Sequence, residues 1–162
     1  MQKLNGKVWY LLIAAAMALS GCGGDDDGGK AGAGGGTDRF VGTWNITGGT
    51  IVLGGDCGNE TTPLTGTATF TKGSTTDLVG TFDDCPVKFD VSGNNATATA
   101  GQTCVISDEA SGGTGILTYQ NFVVTSTDGK VATVSGNGTI AFTVAGIAAT
   151  CTQTVTGSLQ KL

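Results

Sequence analysis

From Thr37 to Leu162 apolar and polar residues alternate with a period of two almost throughout, and no stretch follows the spacing of a helix. In Leu64-Thr65-Gly66-Thr67-Ala68-Thr69-Phe70 the apolar and small residues share one face and the threonines the other, the pattern of a half-buried antiparallel strand. Glycine, asparagine and aspartate punctuate such runs at short intervals. The stretch is long enough for one domain with a real core, and it predicts an all-β fold.

The turn residues also suggest registers. Asn94-Asn95 reads as a two-residue loop that tolerates positive φ. Pairing outward from it sets Val91 opposite Ala98, Phe89 opposite Ala100 and Cys85 opposite Cys104, with Ser92 facing Thr97 and Asp90 facing Thr99 on the other side. A slip of one residue would turn every one of these side chains to the wrong face. Gly48-Gly49 reads as another turn, placing Ile46 opposite Ile51 and Trp44 opposite Leu53. Gly73-Ser74-Thr75 sets Phe70 opposite Leu78 and Ala68 opposite Gly80, and Ala145-Gly146 sets Val144 opposite Ile147 and Phe142 opposite Ala149. Gly136-Asn137-Gly138 also looks like a turn. However, Ala132, Val134, Ile140, Phe142 and Val144 keep one parity across it, which favours a single long strand bent at inward glycines.

Eight or nine sequential strands result, forming an antiparallel meander. Because open edges invite aggregation, a closed or nearly closed barrel is favoured, with a two-layer β-sandwich as the alternative. A transmembrane barrel is disfavoured, since the alternate face is rich in threonine and lacks the apolar band and aromatic girdles such barrels need.

The chain has five cysteines, an odd number. The Asn94-Asn95 register pairs Cys85 with Cys104, and Cys57 with Cys151 then follows by subtraction, two disulfides suited to an oxidising compartment. The fifth, Cys22, has a different setting. Lys3 and Lys7 precede an apolar run from Val8 to Leu19 that is too short to span a bilayer, and small residues follow it, the three parts of a secretory signal. Leu19-Ser20-Gly21-Cys22 resembles the lipobox of bacterial lipoproteins. That resemblance implies cleavage after residue 21, a thioether-linked lipid on Cys22 and acylation of the new N-terminus. Two or more chains hold a protein stably at a membrane where one does not.

Residues 22–36 then read as a lipidated cysteine followed by a flexible tether, Gly23-Gly24-Asp25-Asp26-Asp27 and a glycine-rich remainder, with almost nothing able to pack. Its reach is roughly 20 Å, taking about 5–6 Å times the square root of its length. Gly23 directly after Cys22 argues against retention in the inner membrane, so the expected location is the cell envelope, at the outer membrane. The tether is expected to join the domain at the end bearing its longer loops.

Those longer loops, around residues 54–62, 83–85 and 107–113, gather Asp56, Glu60, Asp83, Asp84, Asp108 and Glu109. Loop carboxylates are what a hard cation such as Ca²⁺ requires. No loop has the spacing of a known calcium motif, and a solvated acidic rim accounts for the same residues.

Composition removes several functions. With no histidine, Ser-His and Cys-His nucleophile systems and histidine-ligated metals are excluded. Adjacent carboxylates such as Asp83 and Asp84 point apart on a strand end, which disfavours paired acid–base work. Thirteen acidic residues stand against eight basic ones, Lys3 and Lys7 among them, and this balance disfavours nucleic acid as a partner. The expectation is a protein without enzymatic activity or cofactor.

Phe40-Val41-Gly42-Thr43-Trp44 resembles the Gly-x-Trp opening strand of lipocalin-like and avidin-like barrels. The resemblance implies that Trp44 closes one barrel end and that the interior holds a small apolar ligand. The chain departs from those families by filling inward positions with Ala, Gly and Thr, which argues against a large cavity, and Trp44 reads better as ordinary core than as a ligand residue. The functional expectation is therefore a membrane-anchored envelope lipoprotein acting as a structural or interaction module toward another envelope macromolecule. The alternative is a binding protein for a small ligand or cation.

Overall fold

In the computed structural model, residues 36–82, 84–108, 113–144 and 147–162 are described. The signal segment, Cys22 and the tether up to residue 35 lie outside the described residues. After a 3₁₀ turn at Thr37–Arg39 come ten strands: β1 (Gly42–Gly55), β2 (Glu60–Pro63), β3 (Thr67–Lys72), β4 (Leu78–Phe82), β5 (Cys85–Ser92), β6 (Asn95–Ala98), β7 (Thr103–Asp108), β8 (Gly113–Thr125), β9 (Val131–Val144) and β10 (Ile147–Lys161).

Eight of these close a ring in the order β1-β3-β4-β5-β6-β8-β9-β10, the last pairing back with β1, and every pairing is antiparallel. The fold is a closed barrel, as the alternation and the cost of open edges required. β2 and β7 lie outside the ring. Each continues a ring strand after an interruption: β2 runs beside the upper half of β1 whose lower half pairs with β3, and β7 runs beside the upper half of β8 whose lower half pairs with β6.

The long strands β1, β8, β9 and β10 therefore rise above the ring as an extension, flanked by β2 and β7. The short β4–β5 hairpin leaves that part of the wall low. The barrel has a closed end, with the turns at residues 73–77, 93–94 and 126–130, and a notched end.

The inward positions form one core of Phe40, Trp44, Ala68, Phe70, Leu78, Val87, Phe89, Ala96, Phe122, Val124, Val134 and Leu159 with their neighbours, so the interior of the ring is occupied by side chains. Phe70 and Phe89 meet edge-to-face at 5.8 Å, and Phe82 and Phe122 at 5.4 Å. Small inward residues make room for these rings. A Cβ on Gly80 would lie 2.6 Å from the Phe70 ring and 2.9 Å from that of Phe89.

Several registers differ from expectation, and each for a definable reason. Gly48-Gly49 is not a turn. β1 passes straight through it and pairs with β10 from Trp44↔Lys161 to Gly55↔Cys151, with one register shift between Ile46 and Gly48. Trp44 and Leu53 are thus on one strand, not facing partners. Gly49 has φ +153° and lies against the β10 backbone, where a Cβ would come within 2.6 Å of the Gly157 Cα. The glycine pair serves a bulge that bends the strand, a use of glycine that looks like a turn in sequence.

The β5–β6 loop is Gly93-Asn94 rather than Asn94-Asn95, so Val91 faces Ala96 and Phe89 faces Ala98. The β3–β4 loop is longer than expected, residues 73–77, and Phe70 faces Gly80 while Ala68 faces Phe82. Both slips are of two residues, which leaves every side chain on its expected face. Val144↔Ile147 and Phe142↔Ala149 pair as expected, though residues 145 and 146 themselves lie outside the described residues. β9 is one strand through Gly136-Asn137-Gly138.

Both disulfides have the expected connectivity: Cys57–Cys151, with Cα atoms 5.3 Å apart, and Cys85–Cys104, 5.9 Å apart. Cys85 and Cys104 are not ladder partners, however. The chain leaves β5 after Ala98, and Cys104 lies on β7, outside the ring.

Candidate functional site

The closed end is sealed. Trp44 is buried and donates its indole N–H to the Phe40 carbonyl at 2.7 Å. Lys161 Nζ stands 5.3 Å from the Trp44 ring centroid and donates to the Arg39 carbonyl at 3.2 Å. The Arg39 guanidinium donates to Asn94 Oδ1 and to the Ser126 carbonyl, tying the entering chain to two turns. Ser126, itself buried, donates its hydroxyl to the Val131 carbonyl at 2.7 Å and accepts from Gly129 N–H at 3.1 Å. Asp128 accepts from the backbone N–H groups of Lys130 and Val131, at 2.8 and 3.0 Å. The Val131 bond first, then that from Lys130, hold its carboxyl below the ordinary aspartate value.

The first described residues also lie at this end. Gly36 lies against Val91 and Gly93, and Arg39 against Gly129. The expectation that the tether joins at the end with the longer loops is thereby corrected. It rested on a turn at Gly48-Gly49; with β1 continuous, the start of β1 sits at the opposite end.

The notched end has a different character. Just above the ring, Phe82 is half-buried, Tyr119 lies with its hydroxyl 3.6 Å from Cys85 Sγ, and the Cys85–Cys104 bridge joins β7 to the low wall. Ile51, Cys57, Leu64, Ile106 and Phe142 are partly buried on the inner side of the extension. Large apolar residues are exposed here: Val52 (42%), Ile116 (51%) and Ile147 (72%) on the extension and Val105 (72%) on the flanking β7, while Val131 (53%) and Leu162 (80%) are exposed at the closed end. Val105 and Ile116 are cross-strand partners on its outer face. Across β1, β8, β9 and β10 the one charged residue is Lys161, at the closed end, so these four strands are uncharged above the ring, with threonines beside apolar groups.

The expected cation ligands distribute as follows. Asp56 is engaged by backbone: its carboxylate accepts from Thr150 N–H at 2.8 Å while its own N–H donates to the Thr150 carbonyl at 3.1 Å, closing the top of the β1–β10 ladder. Glu60 begins β2 opposite Leu53. Asp84 is exposed in the β4–β5 turn with φ +65°, and Asp108 ends β7. Asp83 and Glu109 lie outside the described residues. Among the described residues no three acidic, histidine or cysteine side chains converge as a metal would need.

What sequence reading missed is Gln102. Lys88 N–H donates to Gln102 Oε1 at 2.8 Å, and Gln102 Nε2 donates to the carbonyls of Lys88 (2.8 Å) and Thr99 (2.9 Å). The carboxamide imitates a peptide unit and fills the place on β5 that β6 vacates. Only the unexpected departure of the chain from β5 creates that need, so no local signal could have announced it.

No family model matches the chain, and comparison with curated proteins and with solved structures found no match either.

Proposed function

We propose that this chain is a lipid-anchored protein of the bacterial envelope, held through Cys22 at the outer membrane, whose barrel is an interaction module presenting its notched end away from the lipid. The observation that carries the reading is the position of the chain entry. Gly36 and the Thr37–Arg39 turn dock on the closed end, so the tether leads from there, and the exposed apolar residues of the extension lie at the other end. A filled interior, with Trp44, Phe70 and Phe89 buried at its centre, supports recognition by the surface over enclosure of a small ligand.

Chemically, exposed Val105, Ile116 and Ile147 suit a polypeptide partner. The Cys22→Ser variant tests the anchor. Wild-type protein is expected to take up labelled palmitate and sediment with membranes, while the variant is unlabelled and soluble. Sedimentation of an unlabelled variant with membranes would sink the anchor.

A further inference from the structure

Deepening the interaction reading, and resting on it, we infer that the inner face of the notched end binds a lysine of the polypeptide partner, its ammonium at Glu60 and its peptide group at Gln153. One cross-strand row carries both residues. Glu60 on β2 faces Leu53 on β1, Leu53 faces Gln153 on β10, Gln153 faces Gly138 on β9, and Gly138 faces Tyr119 on β8.

The row lies on the inner side of the sheet. Leu53 and Tyr119 are buried, as are Cys151 and Val155, the residues two places before and after Gln153 on its own strand. Because side chains alternate along a strand and ladder partners share a face, Gln153 and Glu60 point the same way as these core residues. Both are nonetheless half-buried, so water reaches them. The low wall of β4 and β5 stands across the ring from β10. Gly138 places no side chain between Gln153 and Tyr119, whose hydroxyl is turned to Cys85 Sγ.

Polar groups on an inner face are costly unless they are bonded. Neither the Gln153 carboxamide nor the Glu60 carboxylate has a hydrogen-bond or ion-pair partner among the described residues. Apolar residues at both positions would simply extend the core, so this pair of polar side chains is best explained by what it binds.

Charge and hydrogen-bonding capacity select the occupant. An unpaired carboxylate calls for a cation, and among the described residues no metal-binding group of three side chains forms around it. A carboxamide matches a peptide unit, and this chain already uses one so: Gln102 accepts from Lys88 N–H and donates to the Lys88 carbonyl. Glu60 and Gln153 lie two strands apart, about 10 Å between backbones. One lysine, with its own peptide group at one end and its ammonium at the other, bridges that interval.

The test is a titration of the isotopically labelled full chain in detergent with the end-blocked peptide Thr-Val-Lys-Val-Thr, followed by two-dimensional amide NMR. Saturable shifts are expected at the Gln153 side-chain amide and at the Glu60 backbone amide. Gln153→Leu should weaken binding about tenfold through loss of the peptide bonds. Glu60→Gln should weaken it about threefold, as for a partly exposed ion pair. Norleucine in place of lysine should match the effect of Glu60→Gln, and this arm needs no protein variant. Equal affinity for the norleucine peptide, or for n-butylamine, which has no peptide group, overturns the proposal. Saturable shifts confined to Ile116 and Ile147 overturn it while leaving the interaction reading intact, and no shift at any residue of the notched end overturns both.

Discussion

Removing the Cys57–Cys151 bridge, which ties the β1–β2 loop to β10, should cost more stability than removing Cys85–Cys104, which ties β5 to β7. The two bridges close loops with sequence separations of 94 and 19 residues. In the chain-entropy account a cross-link stabilises by restricting the unfolded chain, by about 4.7 kcal/mol for the longer loop and about 3.3 kcal/mol for the shorter at 25 °C. The difference, about 1.4 kcal/mol, is within reach of careful denaturation curves. Side-chain effects largely cancel, because three of the four sulfurs are buried and the fourth, on Cys57, is half-buried. The assay is guanidinium unfolding of Cys57→Ala/Cys151→Ala and Cys85→Ala/Cys104→Ala proteins, each checked by far-ultraviolet circular dichroism for an intact sheet. Both midpoints should fall, the first further, and the slope m should rise more in the first because its unfolded chain expands more. If Cys85→Ala/Cys104→Ala proves the more damaging, the entropic reasoning fails. The bridge from β7 to the low wall would then be stabilising the native notch itself.

Three further changes probe particular contacts. Gly80→Ala should destabilise the barrel by roughly 1–3 kcal/mol, read from a melt, since the new methyl meets two aromatic rings with no space to yield. Gln102→Glu should cost about 1–2 kcal/mol and more than Gln102→Ala, because a carboxylate cannot donate to the Lys88 and Thr99 carbonyls and sets its charge against them; denaturation midpoints of the three proteins check the order. Asp128, with its folded pKa depressed, contributes stability that is present above its unfolded pKa and lost as pH falls through the folded value. Nuclear magnetic resonance titration should place its midpoint below that of an unfolded-peptide aspartate, and Asp128→Asn should flatten this acid limb.

Face assignment was legible in the residues, because period-two alternation is local and survives imperfect turns. Both hairpin slips were of two residues, and Val91, Phe89, Phe70 and Ala68 remained on the faces their alternation dictates. The disulfide connectivity survived for the same reason: Cys85 and Cys104 needed only to share a face and a neighbourhood, not a ladder rung. The closed-end seal was half visible. Trp44 was identifiable as core or plug and its bond to Phe40 is local, but the Lys161 ammonium over its ring and the tie from Arg39 to Asn94 and Ser126 join segments far apart in sequence.

Gly48-Gly49 shows where local reading ends. A hairpin turn and a strand bulge both need glycine, and only the partner decides between them: β10 runs alongside β1 on both sides of the pair, so the chain continues straight. That one decision moves the start of β1, and with it the point where the chain enters at Gly36, to the opposite end of the barrel. The notch is likewise a tertiary product. It exists because β4 and β5 stop short while β1, β8, β9 and β10 run on, and because the chain leaves β5 after Ala98 and resumes beside β8 as β7. Alternation tells each residue which side of a sheet it occupies, a matter of its own backbone geometry. Which strand lies next to it, and which edge is left without one, depends on competition among distant segments for the same hydrogen bonds, and that is settled only when the barrel closes.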